Sequence, residues 1–304
     1  MKLVFAFLDV LGFSSYSERD LAGAQLLLRH QEFILRQKLN DGHSHPAASY
    51  GDPSLASLAE AHLVDSFKHF LPFSDSVFIA SDSPDKFAKQ LSHFLIECLQ
   101  LVGHAYDDAA DPARPEAVDV TVFPAGTKHS EHWYPPLWRG GLAFGEIDVF
   151  DVTGLRDRQV YTTPNAAGPA VVKAVGVERF GGRGPRLFCE REFIQNFGAD
   201  IQRYFWPVTD SISELLWPAF LYSLENPAHI ELSQFHELWG PAVGLWKSKQ
   251  GHKAFEHYDE FLKLLVRSFL CWARIRGCEQ KARDKARACI ANDLSESLIE
   301  TYFR

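Results

Sequence analysis

VFAFLDVLGFSS, residues 4–15, carries a carboxylate at the end of an almost wholly apolar run. Val, Phe and Leu in residues 3–8 favour a buried strand,. Asp9 closes it, and Gly12 follows within a short apolar turn. An aspartate in such a place serves either as a helix cap or strand-end turn residue, or as a metal ligand. The stretch alone leaves both readings open.

The rest of the chain supplies a pattern. After the first strand, apolar spacing predicts a helix over about 19–38, a loop over 39–54 and a short helix near 55–66,. FKHFLPFSDSVFIASD, residues 67–82, reads as strands over 68–73 and 76–80 joined by a tight turn at Ser74-Asp75. Pro72 removes a ladder donor, which places that strand at an edge or near its end. A helix is expected from Pro84, suited to a first helical turn, to about His104. Residues 106–136 look like an insertion with a strand at 117–123. PLWRGGLAFGEIDVFD, residues 136–151, is a strand pair or one bent strand, with Gly140 and Gly141 open to close approach by a chain or ligand,. A short strand at 159–163, a helix over 166–178 and the strand PRLFCE, 185–190, complete the unit.

This order predicts an α+β fold with a ferredoxin-like core. Beyond residue 192 the pattern becomes helical, with stretches at 211–224, 254–274 and 279–300. The expected organisation is therefore a catalytic or binding unit over 1–192 and a helical extension over 193–304.

Composition narrows the class. The 304 residues are 46% hydrophobic and 23% charged, with a net charge of −8, as expected for a folded protein that does not bind nucleic acid non-specifically,. The basic run KARDKARAC, 281–289, is flanked by acids and reads as a solvated helix face,. Five widely spaced cysteines suggest free thiols in a reducing compartment rather than disulfides or zinc,. His43, His45, His129 and His132 are scattered through loop-like sequence without zinc spacing. With neither a signal peptide nor a transmembrane run in view, a cytoplasmic location and no membrane attachment are expected.

FLDVLGF and FSDS belong together if the first strand neighbours the hairpin, because Asp9 and Asp75 then face one point. Paired carboxylates suit hard divalent ions, and the backbone amides of Leu11, Gly12 and Phe13 would suit phosphates. With WRGGLAFGE, 138–146, these motifs resemble the class III nucleotide cyclase catalytic domain. GPAVVKAVGVE, 168–178, makes the likeness strongest to the bacterial pyrimidine cyclases of anti-phage defence. The resemblance spans about residues 3–192. It implies a class III cyclase core, conversion of UTP to 3′,5′-cyclic UMP and pyrophosphate, and two Mn²⁺ or Mg²⁺ ions on Asp9, Asp75 and the Val10 carbonyl. It places the triphosphate on Gly12 and Phe13. It further implies a head-to-tail homodimer with composite sites, and a product that acts on a separate cyclic-nucleotide effector. Cyclic CMP from CTP is one alternative. A catalytically inactive nucleotide-binding or dimerisation module is another.

The sequence departs from the purine cyclases at three positions. Leu71 stands where a base-reading Lys or Glu is expected, and Val172 and Gly176 replace the Asn and Arg of the following helix. Missing purine readers fit a pyrimidine, with positive charge supplied elsewhere. Arg139, beside two glycines, is the first candidate for that charge, since burying an unpaired guanidinium is costly. Lys173, Arg183 and Arg186 follow. Tyr50, in AASYGDP, is a candidate for stacking on a pyrimidine, and Asn165 reads as a helix cap.

Overall fold

The computed structural model describes residues 2–18, 21–44, 49–107, 118–122, 127–131, 136–224, 226–248 and 255–303. His45, His132 and most of the predicted insertion lie outside them. Strand β1 (Lys2–Val10) leads through a single helical turn, α1 (Phe13–Ser17), to α2 (Leu21–Ser44). Helix α2 runs well past its expected end, into the sequence that reads as loop. Helix α3 (Pro53–Ala61) then precedes the hairpin of β2 (His69–Phe73) and β3 (Ser76–Ser81). The turn falls at Ser74-Asp75, and Ser74 takes a left-handed φ of 55°. Helix α4 (Pro84–Asp107) follows, then a separate two-stranded ribbon of β4 (Val118–Val122) and β5 (Thr127–Glu131).

WRGGLAFGE forms β6 (Trp138–Glu146), and its continuation forms β7 (Asp148–Arg156). These two do not pair with each other. Strand β7 pairs with β8 (Gln159–Ala167) as a second ribbon, so the short strand expected at 159–163 is longer. Then come α5 (Pro169–Phe180) and β9 (Leu187–Glu190). Past residue 192 the chain contains α6 (Ala199–Gln202), β10 (Phe205–Pro207), β11 (Ile212–Leu215) and a 3₁₀ helix, Trp217–Leu224. It ends with α7 (Ser233–Ser248), α8 (Phe255–Ile275), α9 (Glu279–Ile290) and α10 (Glu296–Tyr302).

The main sheet has the order β10-β11-β9-β6-β1-β3-β2. Strand β1 is antiparallel to both neighbours, with Asp9 opposite Ser76 on one side and Arg139 on the other. Strand β2 is an edge, which is where Pro72 costs no ladder bond,. Two strands beyond residue 192 extend the sheet at its other edge, which corrects the expectation of helix over 211–224. Ser213, Glu214 and Leu215 are buried there against β9 by ladder pairing, a constraint that helical spacing does not reveal.

The two-residue period of β1 divides the core. Val4, Ala6, Leu8 and Val10 point to the layer of α4, α7 and α8. Leu3 and Phe5 point the other way, against Ala170 and Ala174 of α5. Asp9 belongs to this second set by parity, so it ends the strand on the α5 face. Gly140 and Gly141 serve close approach, by this chain's own backbone. A Cβ on Gly140 would meet the Phe7 carbonyl, and one on Gly141 would meet the Ala174 carbonyl of α5.

The C-terminal segment is tied to the sheet by a buried ionic triad. Glu214 receives Arg186 through two bonds of 2.6 and 2.7 Å and Arg267 of α8 at 2.7 Å. A fully buried carboxylate needs such partners, because an unpaired one is strongly unfavourable. Among the described residues, no helix is long and apolar enough to cross a membrane.

Gly141→Ala is expected to lower folding stability by about 1–3 kcal/mol through overpacking against α5. Urea unfolding of the variant beside the wild type measures this. An unchanged midpoint would show that α5 can move away from β6.

Candidate functional site

Three elements meet at the end of β1. The hairpin turn is pinned there by a bond of 3.0 Å from the Val10 N–H to the Asp75 carbonyl. Asp75 therefore lies beside Asp9, whose Cα partner is the next residue, Ser76. The Ser76 hydroxyl donates to Asp9 Oδ1 at 3.1 Å. From the other neighbour, Arg139 Nε and Nη2 donate to Asp9 Oδ2 at 3.3 and 3.2 Å. The first strand does neighbour the hairpin, so Asp9 and the turn residue Asp75 are adjacent in space.

Glu178 completes the group, and the sequence reading missed it. The close approach of α5 at Gly141 carries its buried side chain over Arg139. Glu178 Oε1 lies 2.7 Å from Arg139 Nε. No N–H is aimed at that oxygen, since the guanidinium donors are directed to Asp9. The contact is an ion pair that leaves a buried acceptor without a donor. The signal was spacing: Glu178 follows Ala174 by one helical turn, and Ala174 faces the glycine pair.

Electrostatics mark the site as strained in charge. Burial pushes the Asp9 carboxyl above its usual range; Ser76 and Arg139 oppose that rise, and the neighbouring Asp75 charge adds to it. Burial likewise raises Glu178, with Arg139 opposing and Asp9 reinforcing. Two carboxylates, those of Asp9 and Glu178, thus share one guanidinium, and Asp75 adds its charge beside Asp9. His257, in the first turn of α8, is lowered chiefly by burial and then by the Arg139 and Arg183 charges. It accepts the Gly184 N–H on Nδ1 at 3.1 Å. The C-terminal segment therefore reaches the site electrostatically, another feature that the sequence did not reveal.

The other candidates are distributed more widely. Leu11 N–H is bonded to the Leu137 carbonyl at 2.8 Å. The loop amides open to a ligand thus begin at Gly12, with φ of 78°, and Phe13. Val10 is buried at the strand end. Tyr50 is an exposed ring just before α3, with no contact joining it to the carboxylates. Lys173 is exposed on α5 and pairs with Glu190 at 2.9 Å. Arg183 pairs with Glu256, and Arg186 belongs to the Glu214 triad, so both have structural partners. Leu71 is buried and offers no polar edge. Val172 is 72% exposed, and a Cβ on Gly176 would meet nothing within 4 Å. Asn165 lies in β8, where its Oδ1 accepts the Ala166 N–H at 2.8 Å. It is not the cap of α5; Gly168 occupies that position.

Among the described residues, no group of three or more His, Cys, Asp or Glu side chains forms a metal cage. The expectation of two ions held by protein groups is therefore narrowed. What Asp9 and Asp75 present is a pair of hard oxygen donors. That fits a magnesium-class ion, which keeps waters and is completed by substrate phosphates rather than by an all-protein shell.

The raised carboxyls determine the sign of a pH effect. A group whose folded pKa is raised stabilises the fold fully below its unfolded value. That contribution is lost as pH climbs through the folded value. Asp9→Asn is therefore expected to gain stability relative to wild type as pH rises from below the ordinary carboxylate range to neutrality. Thermal melts of both proteins across that interval provide the measurement. A variant that stays level with wild type or loses stability relative to it on going to neutral pH would contradict the burial account of Asp9.

No protein-family model matches the chain, and no curated protein matches it. Among solved structures, one of adenylate cyclases from Trypanosoma brucei in their monomeric state aligns over 70% of this chain and 86% of its own, at 12% identity and a TM-score of 0.36.

Proposed function

We propose that the chain is a nucleotide cyclase that converts a pyrimidine nucleoside triphosphate, UTP first, to its 3′,5′-cyclic monophosphate and pyrophosphate. The observation that carries this reading is the meeting of Asp9 and Asp75. They come from a strand end and a hairpin turn held together by the Val10–Asp75 backbone bond. The FLDVLGF, FSDS and WRGGLAFGE motifs support it by resemblance.

Asp9 and Asp75, with the Val10 carbonyl, would hold a divalent ion. Such an ion offsets phosphate charge and makes a ribose hydroxyl easier to deprotonate. The amides from Gly12 onward would bind phosphate oxygens. In the reaction, the 3′-oxygen bonds to the α-phosphorus as the α–β phosphoanhydride breaks. Pyrophosphate leaves with the electron pair, and the hydroxyl proton passes to solvent. Arg139 lies beside Asp9 and supplies the positive charge that Gly176 lacks. Its exchange from Asp9 to a phosphate oxygen would stabilise charge where it develops. Tyr50 and Lys173 stand as candidate contacts to base and phosphate. CTP is the alternative substrate.

A head-to-tail homodimer is part of the same reading. Val172, Gly176 and Phe180 form an exposed stripe at helical spacing on α5, with Val172 and Phe180 both strongly exposed,. A second copy would cover that stripe and contribute the groups that Val172 and Gly176 do not. The cyclic product would act on a separate effector in antiviral defence, in a cytoplasmic setting.

A second reading is favoured by the Arg139 contacts. With its N–H groups on Asp9 and its charge facing Glu178, Arg139 is engaged within the chain. A module that binds nucleotide without turnover would keep it so. Incubation with each of the four ribonucleoside triphosphates and Mn²⁺, with mass spectrometry of products, separates the readings. Cyclic UMP is expected to dominate, and Asp75→Ala is expected to reduce it to background with unchanged circular dichroism. Unchanged turnover in that variant would sink the mechanism. Binding without product would favour the module, and cyclic AMP as main product would overturn the base assignment.

A further inference from the structure

On the opposite face of the sheet from Asp9, a cavity of ≈ 620 Å³ opens between α3, α4 and the segment after residue 198. It has the volume of a small-molecule site and shares no residue with the carboxylate group. Three cations from three separate stretches of chain line it: Lys89 on α4, Arg203 after α6, and Arg276 after α8. Among the described residues of that lining, Asp200 is the one acid. The lining therefore carries a surplus of two positive charges.

These cations differ from those of another cationic cleft, near the C-terminal helices. There Arg186, Lys263, Arg267, Arg274 and Arg283 each have a carboxylate partner. In the larger cavity, neither the Lys89 nor the Arg276 side chain has a hydrogen bond or ion pair among the described residues. Arg203 gives a single bond, to the Ile275 carbonyl at 3.2 Å, and keeps its other donors.

The cavity wall adds a buried polar group and an aromatic surface. His93 is 2% exposed and lines the cavity, and its Nδ1 has no partner. Burial holds the imidazole well below its usual pKa, with the charges of His62 and Lys38 adding to the effect, so it is neutral at pH 7. A neutral ring nitrogen can accept or donate according to its tautomer. Tyr204 and Phe220 lie with ring centroids 4.5 Å apart on the same lining, beside Leu58 and Ile201.

We propose that this cavity binds a phosphomonoester bearing a flat aromatic ring, of the nucleoside 5′-monophosphate class. A phosphomonoester carries close to two negative charges at neutral pH, which matches the surplus on the lining. The ring lies against Tyr204 and Phe220, and His93 meets a polar atom on its edge. Because the lining comes from α4 on one side and from residues beyond 198 on the other, the ligand ties the two parts of the chain together. The proposal stands independently of any turnover at Asp9.

Calorimetric titration of the full chain without divalent metal tests it, since carboxylates alone repel phosphate. The probes are uridine and adenosine 5′-monophosphates, ribose 5-phosphate and inorganic phosphate. At least one nucleotide is expected to bind once per chain, about tenfold or more tighter than ribose 5-phosphate or phosphate. Lys89→Ala and Arg276→Ala remove side chains without partners among the described residues, so both should fold, as circular dichroism will check. Each is expected to weaken binding about tenfold or more. Asp75→Ala is expected to titrate as wild type. Absence of nucleotide binding, equal affinity for ribose 5-phosphate, unchanged affinity in both cavity variants, or loss of binding in Asp75→Ala would each overturn the proposal.

Discussion

Helix α5 lies against β6 so closely that a side chain at Gly141 would strike the Ala174 carbonyl. This contact decides where Glu178 goes. One turn beyond Ala174, Glu178 is carried over Arg139, and Arg139 in turn is oriented onto Asp9. The sheet makes the complementary choice. Strand β1, held between β3 and β6, delivers Asp9 with the hairpin turn on one side and Arg139 on the other. A glycine pair in the middle of a strand weakens it locally, and here that cost accompanies a compact charged cluster.

The cluster combines groups whose ionisation opposes one another. Asp9 and Glu178 are both raised by burial, each is raised further by a neighbouring acid, and one guanidinium serves both. Such an arrangement contributes little to folding, since buried ion pairs seldom repay their desolvation. Gathered acids with one cation are better matched to a ligand that brings its own counter-charge. The exposed stripe of α5 and the open space at Gly176 lie on the same helix that supplies Glu178, so a cover for one would border the other.

Much of the core was legible from the residues. Apolar, β-favouring residues marked β1, β2 and β3; Pro84 marked the start of α4; and Pro72 marked an edge. The region after residue 192 was less so. Residues 212–215 read as part of a helix because apolar residues are spaced about a turn apart across 211–224, whereas ladder pairing to β9 makes them a strand. Strands of only three or four residues carry too little pattern to outweigh such spacing. Helix α7 falls within the helical region expected beyond residue 192, although Pro241 and two glycines interrupt its sequence.

The sequence by itself determined that a carboxylate ends the first strand, that another caps a hairpin turn, and that two glycines admit a close neighbour. These are local facts, set by period, turn chemistry and side-chain size. Tertiary structure alone decided that the close neighbour is α5, that Glu178 joins Asp9 at Arg139, and that Arg186 holds Glu214 instead of a ligand. It also decided that Lys89 and Arg276 share a cavity with His93. The physical reason is that charge partners are chosen by distance in space. Arg139 lies 130 positions from Asp9 in the chain, and only the pairing of β1 with β6 brings them within 3.2 Å.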